Sequence, residues 1–345
     1  MSEPLFSIVI ACYNHEKFIR QAVDSVLAQR HPACEIIVVD DASSDRSVEI
    51  LKSCGDSIRL ECLPVNRGAG AARNHGASVA GGRYLIFLDG DDALTPWALI
   101  AYGRIVRERG PAIILGRCSL FFGDVPNFSP APGPGIQFVE YGSFLDKDRP
   151  WVYNTSSLVV ERAAFMEVGG WSPAIFHQDI QDLLNKLSVA RKTALILAPA
   201  TVSYRMHTTN AVRQVGRFID GVDLLLAKAR QGAYPGGRGV QVKRWAWFGG
   251  LILYWAKEGM RKGPFWAALR LLIANCWMVA LAALRRTAAL AAGREPIHIL
   301  PLNPDGADAP DDSDPARVSR GTVDGDYQLA ACEAVTAGRQ PRKEA

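Results

Sequence analysis

Tyr84-Leu85-Ile86-Phe87-Leu88-Asp89-Gly90-Asp91-Asp92 places five apolar residues directly before three carboxylates in four positions. The apolar run has the length and composition of a strand buried on both faces, as in parallel sheets covered by helices. Acids this close repel one another, and a fold tolerates them best where a cation gathers them. Mg²⁺ and Mn²⁺ favour such oxygen ligands in company with substrate phosphates. As a bare motif, Asp-x-Asp-Asp also reads as a solvated turn. Its position at a strand end, with further polar clusters on the same edge, favours the cation.

Outward from this stretch, short apolar runs alternate with helix-period segments. Strands are expected at Ser7–Ala11, Glu35–Asp40, Ile58–Leu63, Tyr84–Leu88 and Ala112–Leu115. Helices are expected at Lys17–Gln29, Arg46–Ser53, Ala69–Ala80 and Pro96–Arg109. The alternation predicts an α/β fold with a mostly parallel sheet, whose ligands bind beyond the carboxyl ends of the strands. Tyr13-Asn14, Asp40-Asp41 and Asp89–Asp92 all fall there. The Pro- and Gly-rich residues 123–150 read as a loop or lid. Beyond it come a strand at Ser156–Val160, a helix at Gln178–Ala190, and extended segments at Thr193–Leu197 and Thr201–Tyr204.

Asp41, at a strand end, is positioned to accept hydrogen bonds from a base or a ribose, while Asp45 reads as serving the turn before the next helix. Asn66 through Gly76 is a Gly-rich turn into a helix that carries Arg73. It fails the dinucleotide fingerprint, because the third glycine position is Arg73 and the turn follows the third strand. Phosphate or ribose contact still suits it, as does plain helix packing. Asp179 at a helix start is either a complement to the helix dipole or a catalytic acid. His207, after the Tyr204-Arg205 strand end, is either structural or a ligand.

A net charge of +4 over 345 residues is too small to argue for nucleic acid. Seven scattered cysteines without a C-x-x-C pair suit a reducing compartment, and the first residues lack a signal-peptide pattern, so a cytoplasmic protein is expected. From residue 216 the chain turns helical, basic and Trp-rich, with Glu258 the lone acid between Arg238 and Arg294. Leu271–Leu284 falls short of the roughly 20 residues that span a bilayer. The segment reads as helices lying on an anionic membrane surface, or as a helical subdomain packed on the catalytic unit or on a partner chain. Residues 296–345 have the composition of a disordered tail.

Together these elements resemble the family 2 glycosyltransferases, over roughly Phe6 to Asn210. The resemblance implies a GT-A fold in residues 1–215, with residues 216–295 as a helical extension. It also implies an inverting transfer of sugar from a nucleoside-diphosphate sugar to an acceptor hydroxyl, on a glycan or a lipid-linked glycan. Carried across by position, it has Ala11, Tyr13 and Asp41 contact the donor's base, Asn66 and Arg73 border the nucleoside, and Asp89 hold ribose or sugar. Asp91 and His207 would hold Mn²⁺ or Mg²⁺ with Asp92 nearby, and Asp179 would be the general base. Two departures stand out: Ala11-Cys12 where the family commonly has Pro before Tyr-Asn, and Gln178-Asp179 where it has Glu-Asp. Two other readings use the same residues, a catalytically silent sugar-nucleotide sensor and a nucleotidyltransferase. The latter would bring a Gly-rich, basic N-terminal loop that this sequence lacks.

Overall fold

The computed structural model describes residues 5–302 apart from 30, 32, 127, 129–134, 148–152, 174, 176, 208–209, 211–213 and 294. The chain begins β1 (Phe6–Cys12), α1 (Ile19–Leu27), β2 (Cys34–Asp40), α2 (Ser47–Lys52), β3 (Arg59–Cys62), α3 (Ala69–Val79) and β4 (Tyr84–Asp89). It continues β5 (Ala93–Leu94), α4 (Ala98–Arg109), β6 (Ile113–Leu115), β7 (Cys118–Phe121), β8 (Ile136–Tyr141), β9 (Leu158–Glu161), α5 (Arg162–Glu167), α6 (Asp179–Lys186), β10 (Thr193–Ala198) and β11 (Val202–Arg205). Four helices follow, α7 (Val215–Arg230), α8 (Arg238–Lys262), α9 (Phe265–Ala274) and α10 (Cys276–Ala292), before β12 (His298–Leu300).

Nine strands form one sheet in the order β12-β8-β10-β6-β9-β4-β1-β2-β3. Among them only β8 and β9 run against the rest, so the sheet is mostly parallel as expected. Alternation explains why its central strands are apolar throughout. Ile8, Ile10, Val38, Ile86 and Leu88 feed the core on one face. Their neighbours Val9, Ile37, Val39, Leu85 and Phe87 feed the core on the other. Each such side chain contributes about 1.5–3 kcal/mol by leaving water. A second, three-stranded sheet, β5-β11-β7, stands beside the first.

Two sequence expectations are corrected. Within the segment read as a loop or lid, residues 136–141 form β8, which pairs antiparallel with β10 and buries Ile136, Phe138, Val139 and Tyr141. The Pro- and Gly-rich run before it hid the alternation. The tail expected from residue 296 first adds β12 to the sheet edge along β8; residues 303–345 of that expectation lie outside the described residues.

The C-terminal helices form a layer with its own core of Ile219, Val222, Phe248, Ile252 and Leu271. This layer packs on the α/β unit. Arg244, fully buried, donates to Asn185 Oδ1 at 3.2 Å, Ser188 Oγ at 2.9 Å and the Pro235 carbonyl at 2.6 Å. The Trp247 ring meets Phe144 edge-on, 5.5 Å between centroids. No single helix among the described residues is long and apolar enough to cross a membrane, and α9 and α10 are bent 70° apart. Asn275 makes the break: its amide bonds the Leu271 carbonyl at 2.8 Å and its Oδ1 accepts from Arg230 at 2.6 Å.

Gly249 lets α8 and α10 touch, because a Cβ there would lie 1.9 Å from the Met278 carbonyl oxygen, whereas one at Gly250 would meet nothing within 4 Å. Gly249→Ala is therefore expected to lower stability by about 1–3 kcal/mol through overpacking. Gly250→Ala is expected to raise it by up to about 1 kcal/mol through helix propensity. Urea midpoints of the two variants check the pair; a loss at Gly250 or none at Gly249 would contradict this packing.

Candidate active site

The parallel strands β1, β2 and β4 end together, with Cys12 opposite Asp40 and Ala11 opposite Asp89. Beyond them the chain is tied loop to loop. Asn14 and Ala42 both take left-handed backbone conformations, φ 55° and 61°. Ser43 Oγ accepts from the Asn14 amide at 2.9 Å, and Asn14 Oδ1 accepts from the Ser44 amide at 2.8 Å. An alanine held at positive φ is a strained residue, tolerated here because the flanking bonds over-determine it. Asp45 accepts from the amides of Glu16 at 3.0 Å and Ser47 at 2.9 Å, the turn role expected of it. Asp41 lines the cavity described below. Its two oxygens accept from the amides of Arg67 at 2.8 Å and Gly68 at 2.7 Å, so it also fixes the Gly-rich turn that launches α3.

From that helix Arg73 enters the centre of the site. It is 5% exposed and donates to Asp89 Oδ1 at 2.6 Å and to Asp179 Oδ2 at 2.8 Å. Its guanidinium lies over the Trp171 ring at 5.1 Å. The next residue, Asn74, grips the Trp171 backbone at both N (2.9 Å) and O (2.8 Å). Gly170 turns the chain there, since a Cβ would strike Asn74 Oδ1 at 2.5 Å. One helical turn thus fixes both the Gly169-Gly170-Trp171 loop and the first acid of α6. Burial pushes the Asp179 carboxyl above the usual aspartate range, and the Arg73 charge only partly opposes it.

Asp182, three residues on, has a different environment. It is fully buried and accepts from Ser172 Oγ at 2.6 Å, Tyr234 Oη at 2.7 Å and Lys228 Nζ at 2.5 Å. Although burial acts to raise it, these hydrogen bonds hold its carboxyl below the usual range. It ties α6 to α7 and does not reach the cavity.

The small sheet delivers the remaining acid and the histidine. β11 pairs antiparallel with β5, just after Asp92, so the chain leaving β11 returns beside the acids. His207 Nε2 lies 2.8 Å from Asp91 Oδ2, and its ring stacks on Phe18. Burial acts to raise Asp91, but the His207 hydrogen bond and the His15 and His207 charges hold it low. Asp92 does not join this pair. It is fully buried, accepting from Ser156 Oγ at 2.6 Å and the Arg205 amide at 3.0 Å. Burial, then the charges of Asp91 and Asp89, drive its carboxyl well up. It braces the β4–β11 junction, and the expectation of a ligand contact is corrected on that ground.

Ala11, Tyr13, Asp41, Asn66, Arg73, Asp89, Asp91, Asp179 and His207 line one cavity of about 1130 Å³. That exceeds the roughly 300–1,000 Å³ of a site for one small ligand. Its far wall comes from outside the α/β unit: Trp247, Leu251 and Tyr254 of α8, and Ala282, Arg285 and Arg286 of α10. Lys147, Tyr153 and Gln181 line it as well and were not singled out from sequence; Lys147 and Tyr153 flank an uninformative Pro-containing segment. For a metal, Asp91 and His207 offer one carboxylate and one imidazole on the wall. Among the described residues no three His, Cys, Asp or Glu side chains converge as a cage. Such a half-site fits Mn²⁺ or Mg²⁺ completed by phosphate oxygens and water.

Comparison with known proteins agrees with this layout. The family described as Glycosyl transferase family 2 matches residues 7–167. A putative teichuronic acid biosynthesis glycosyltransferase of Bacillus subtilis is 42% identical over 93 residues, 26% of this chain and 37% of that protein. The UDP-Glc:alpha-D-GlcNAc-diphosphoundecaprenol beta-1,3-glucosyltransferase WfaP of Escherichia coli is 43% identical over 90 residues, 26% of this chain and 36% of that protein. The match thus spans little more than a third of either relative. In fold, the chain resembles the mannosyltransferase PcManGT of Pyrobaculum calidifontis, solved with GDP-Man and Mn²⁺. That likeness has a TM-score of 0.51 at 16% identity, over 85% of this chain and 77% of that one. The α/β unit has the GT-A fold, and residues 7–167 match the model of glycosyl transferase family 2.

Proposed function

We propose that this protein is an inverting, metal-dependent glycosyltransferase, moving a sugar from a nucleoside-diphosphate sugar to a glycan acceptor hydroxyl in cell-surface polysaccharide synthesis. The observation that carries the reading is that Asp89, Asp91, His207 and Asp179 line one cavity, with Arg73 bridging two of them. In this reading Ala11, Tyr13, Asp41 and Asn66 hold the nucleoside and Asp89 the ribose or sugar. Asp91 and His207 would hold a divalent cation, which when bound would supply positive charge beside the diphosphate. Asp179 takes the acceptor's hydroxyl proton while the oxygen bonds the anomeric carbon and the bond to the diphosphate breaks, inverting that centre. A raised carboxyl suits this task, because it is a stronger base than an ordinary aspartate. Arg73 keeps that base oriented and partly neutralised. A sugar-nucleotide sensor would need Asp179 only as the ion-pair partner of Arg73 and would not use its place on the cavity wall.

Asp91→Asn is expected to abolish Mn²⁺-dependent thermal protection by UDP. Protection equal to that of the unmodified protein would defeat the metal assignment.

Asp179→Asn is expected to keep UDP binding and lose transfer by about 10²–10⁴-fold. Asp182→Asn should chiefly lower the unfolding midpoint. Because the base works deprotonated and its carboxyl is raised, kcat/KM should fall on the acid side with a midpoint above the ordinary aspartate value of about 3.9. A dead Asp182→Asn beside an active Asp179→Asn would reassign the base.

We also propose that the protein sits on the inner face of the cell membrane. Trp266, 78% exposed, shares a face of α9 with Ile273, and Trp277 shares one of α10 with Leu284. Trp245, Trp247 and Trp255 instead pack inward, and Lys243, Arg261, Lys262 and Arg270 are paired with acids, which leaves the apolar faces as the support. Replacing Trp266 and Trp277 by Ser should release the protein from acidic liposomes in flotation. Equal flotation of both forms would remove this reading.

A further inference from the structure

We infer that Arg205 is the positioning residue of the Asp91–His207 pair: it holds the two side chains at the spacing one divalent cation bridges, and so sets the affinity of that half-site for metal. The inference rests on the metal reading above and extends it to a residue outside the ligand pair.

Topology creates the need. Asp91 follows β4 and His207 follows β11, 116 residues further on. A half-site with two protein ligands has no third side chain to correct their spacing, so slack between the two strands is lost directly as metal affinity.

Arg205 joins the two sides. It is 2% exposed, and its Nε donates to the Asp91 carbonyl oxygen at 2.8 Å. Its amide donates to Asp92 Oδ1 at 3.0 Å. Its own carbonyl accepts from Asn210 Nδ2 at 3.0 Å, and Asn210 Oδ1 in turn accepts from the His207 amide at 2.5 Å. Asp91 and His207 are thus tied twice, once through the Arg205 backbone and once through the 2.8 Å contact of His207 Nε2 with Asp91 Oδ2.

The guanidinium is itself held from several directions. It lies against two rings, 4.8 Å from the Phe18 centroid and 4.5 Å from that of Phe121. Nη1 donates to the Gly123 carbonyl, and Nη2 to Gln21 Oε1 at 2.6 Å. Phe18 also stacks on the His207 ring, 5.3 Å between centroids, so the residue before α1 touches both the arginine and the histidine. The destination of these bonds separates positioning from charge pairing. Arg73 bonds the carboxylates of Asp89 and Asp179, whereas Arg205 bonds the backbone of Asp91 and leaves its carboxylate to His207. A guanidinium serves Asp91, Gly123 and Gln21 at once; a lysine keeps the charge and loses that fork.

The test titrates Mn²⁺ into the full-length protein with saturating UDP, reading thermal protection and, by electron paramagnetic resonance, free Mn²⁺. Arg205→Lys should raise the Mn²⁺ concentration for half-maximal protection by about 10–100-fold, the range for a residue that orients a metal ligand. Excess Mn²⁺ should restore full protection, which general damage to the fold would not allow. Gln21→Met, outside the cavity lining, removes the Nη2 acceptor and should shift the same midpoint by about threefold or more; it decides the matter if Arg205→Lys does not fold. A midpoint within about twofold of the unmodified protein in the variant that folds, or lost protection that excess Mn²⁺ does not restore, would overturn the inference. Failure of Mn²⁺ to alter UDP protection of the unmodified protein would count against the metal reading instead. Hydrogen exchange of the His207 amide in metal-free protein then decides this one: exchange about tenfold faster in Arg205→Lys supports it, and equal rates overturn it.

Discussion

A buried guanidinium between two carboxylates is the constraint on which the site depends. Arg73 is 5% exposed and joins Asp89, at the end of β4, to Asp179, at the start of α6. Those acids are far apart in sequence and belong to different layers, so the triad registers one layer against the other. Removing one partner from a buried ion pair is expensive, about 3–5 kcal/mol, because the remaining charge stays buried. The loop before α6 is correspondingly well held, through Asn74 on the Trp171 backbone and the ring under the guanidinium. The geometry explains how one helix can carry two acids in such different states. Asp179 faces the cavity and a single arginine, and is raised; Asp182, one turn deeper, is surrounded by donors and is lowered.

Much of this was legible in the sequence because its signals are local. Continuous apolar runs at Ile8–Ile10, Ile36–Val39 and Leu85–Leu88 fit strands covered on both sides, and acids at their ends mark the edge where a ligand binds. Asp45 also reads as structural from its neighbours alone. What stayed hidden depends on contacts distant in sequence. β5 has two residues and exists only because β11 pairs with it, yet that pairing brings His207 to Asp91. β12 is the edge strand and β8 the strand beside it, and their partners, not their composition, define them. Asp92 has the same motif as Asp89 and Asp91, and only the approach of Ser156 and Arg205 shows that it points inward.

The C-terminal region illustrates a second limit. Interleaved tryptophans and arginines describe a helix with an apolar side, but not what covers it. In the folded chain the answer is divided: Trp255 is buried, while Trp266 is 78% exposed. Arg244 is a core residue, held by Asn185, Ser188 and Pro235, although its sequence context is that of a basic surface. A composition can thus serve two purposes within one helix pair.

The cavity is enclosed by two parts of the chain with separate hydrophobic cores. One wall comes from the α/β unit, partly within residues 7–167 where the family match falls and partly from Asp179 and His207 beyond it; the other is helical and follows residue 215. The α8 side is tied to α6 through Arg244 on Asn185, and Tyr153 bonds Gln181 of the same helix, so neither link touches the acids of β4 directly. The cavity is in this sense modular: acids and an arginine held by the α/β unit face a panel of helices with a core of its own, so that one side can change shape while the other stays put.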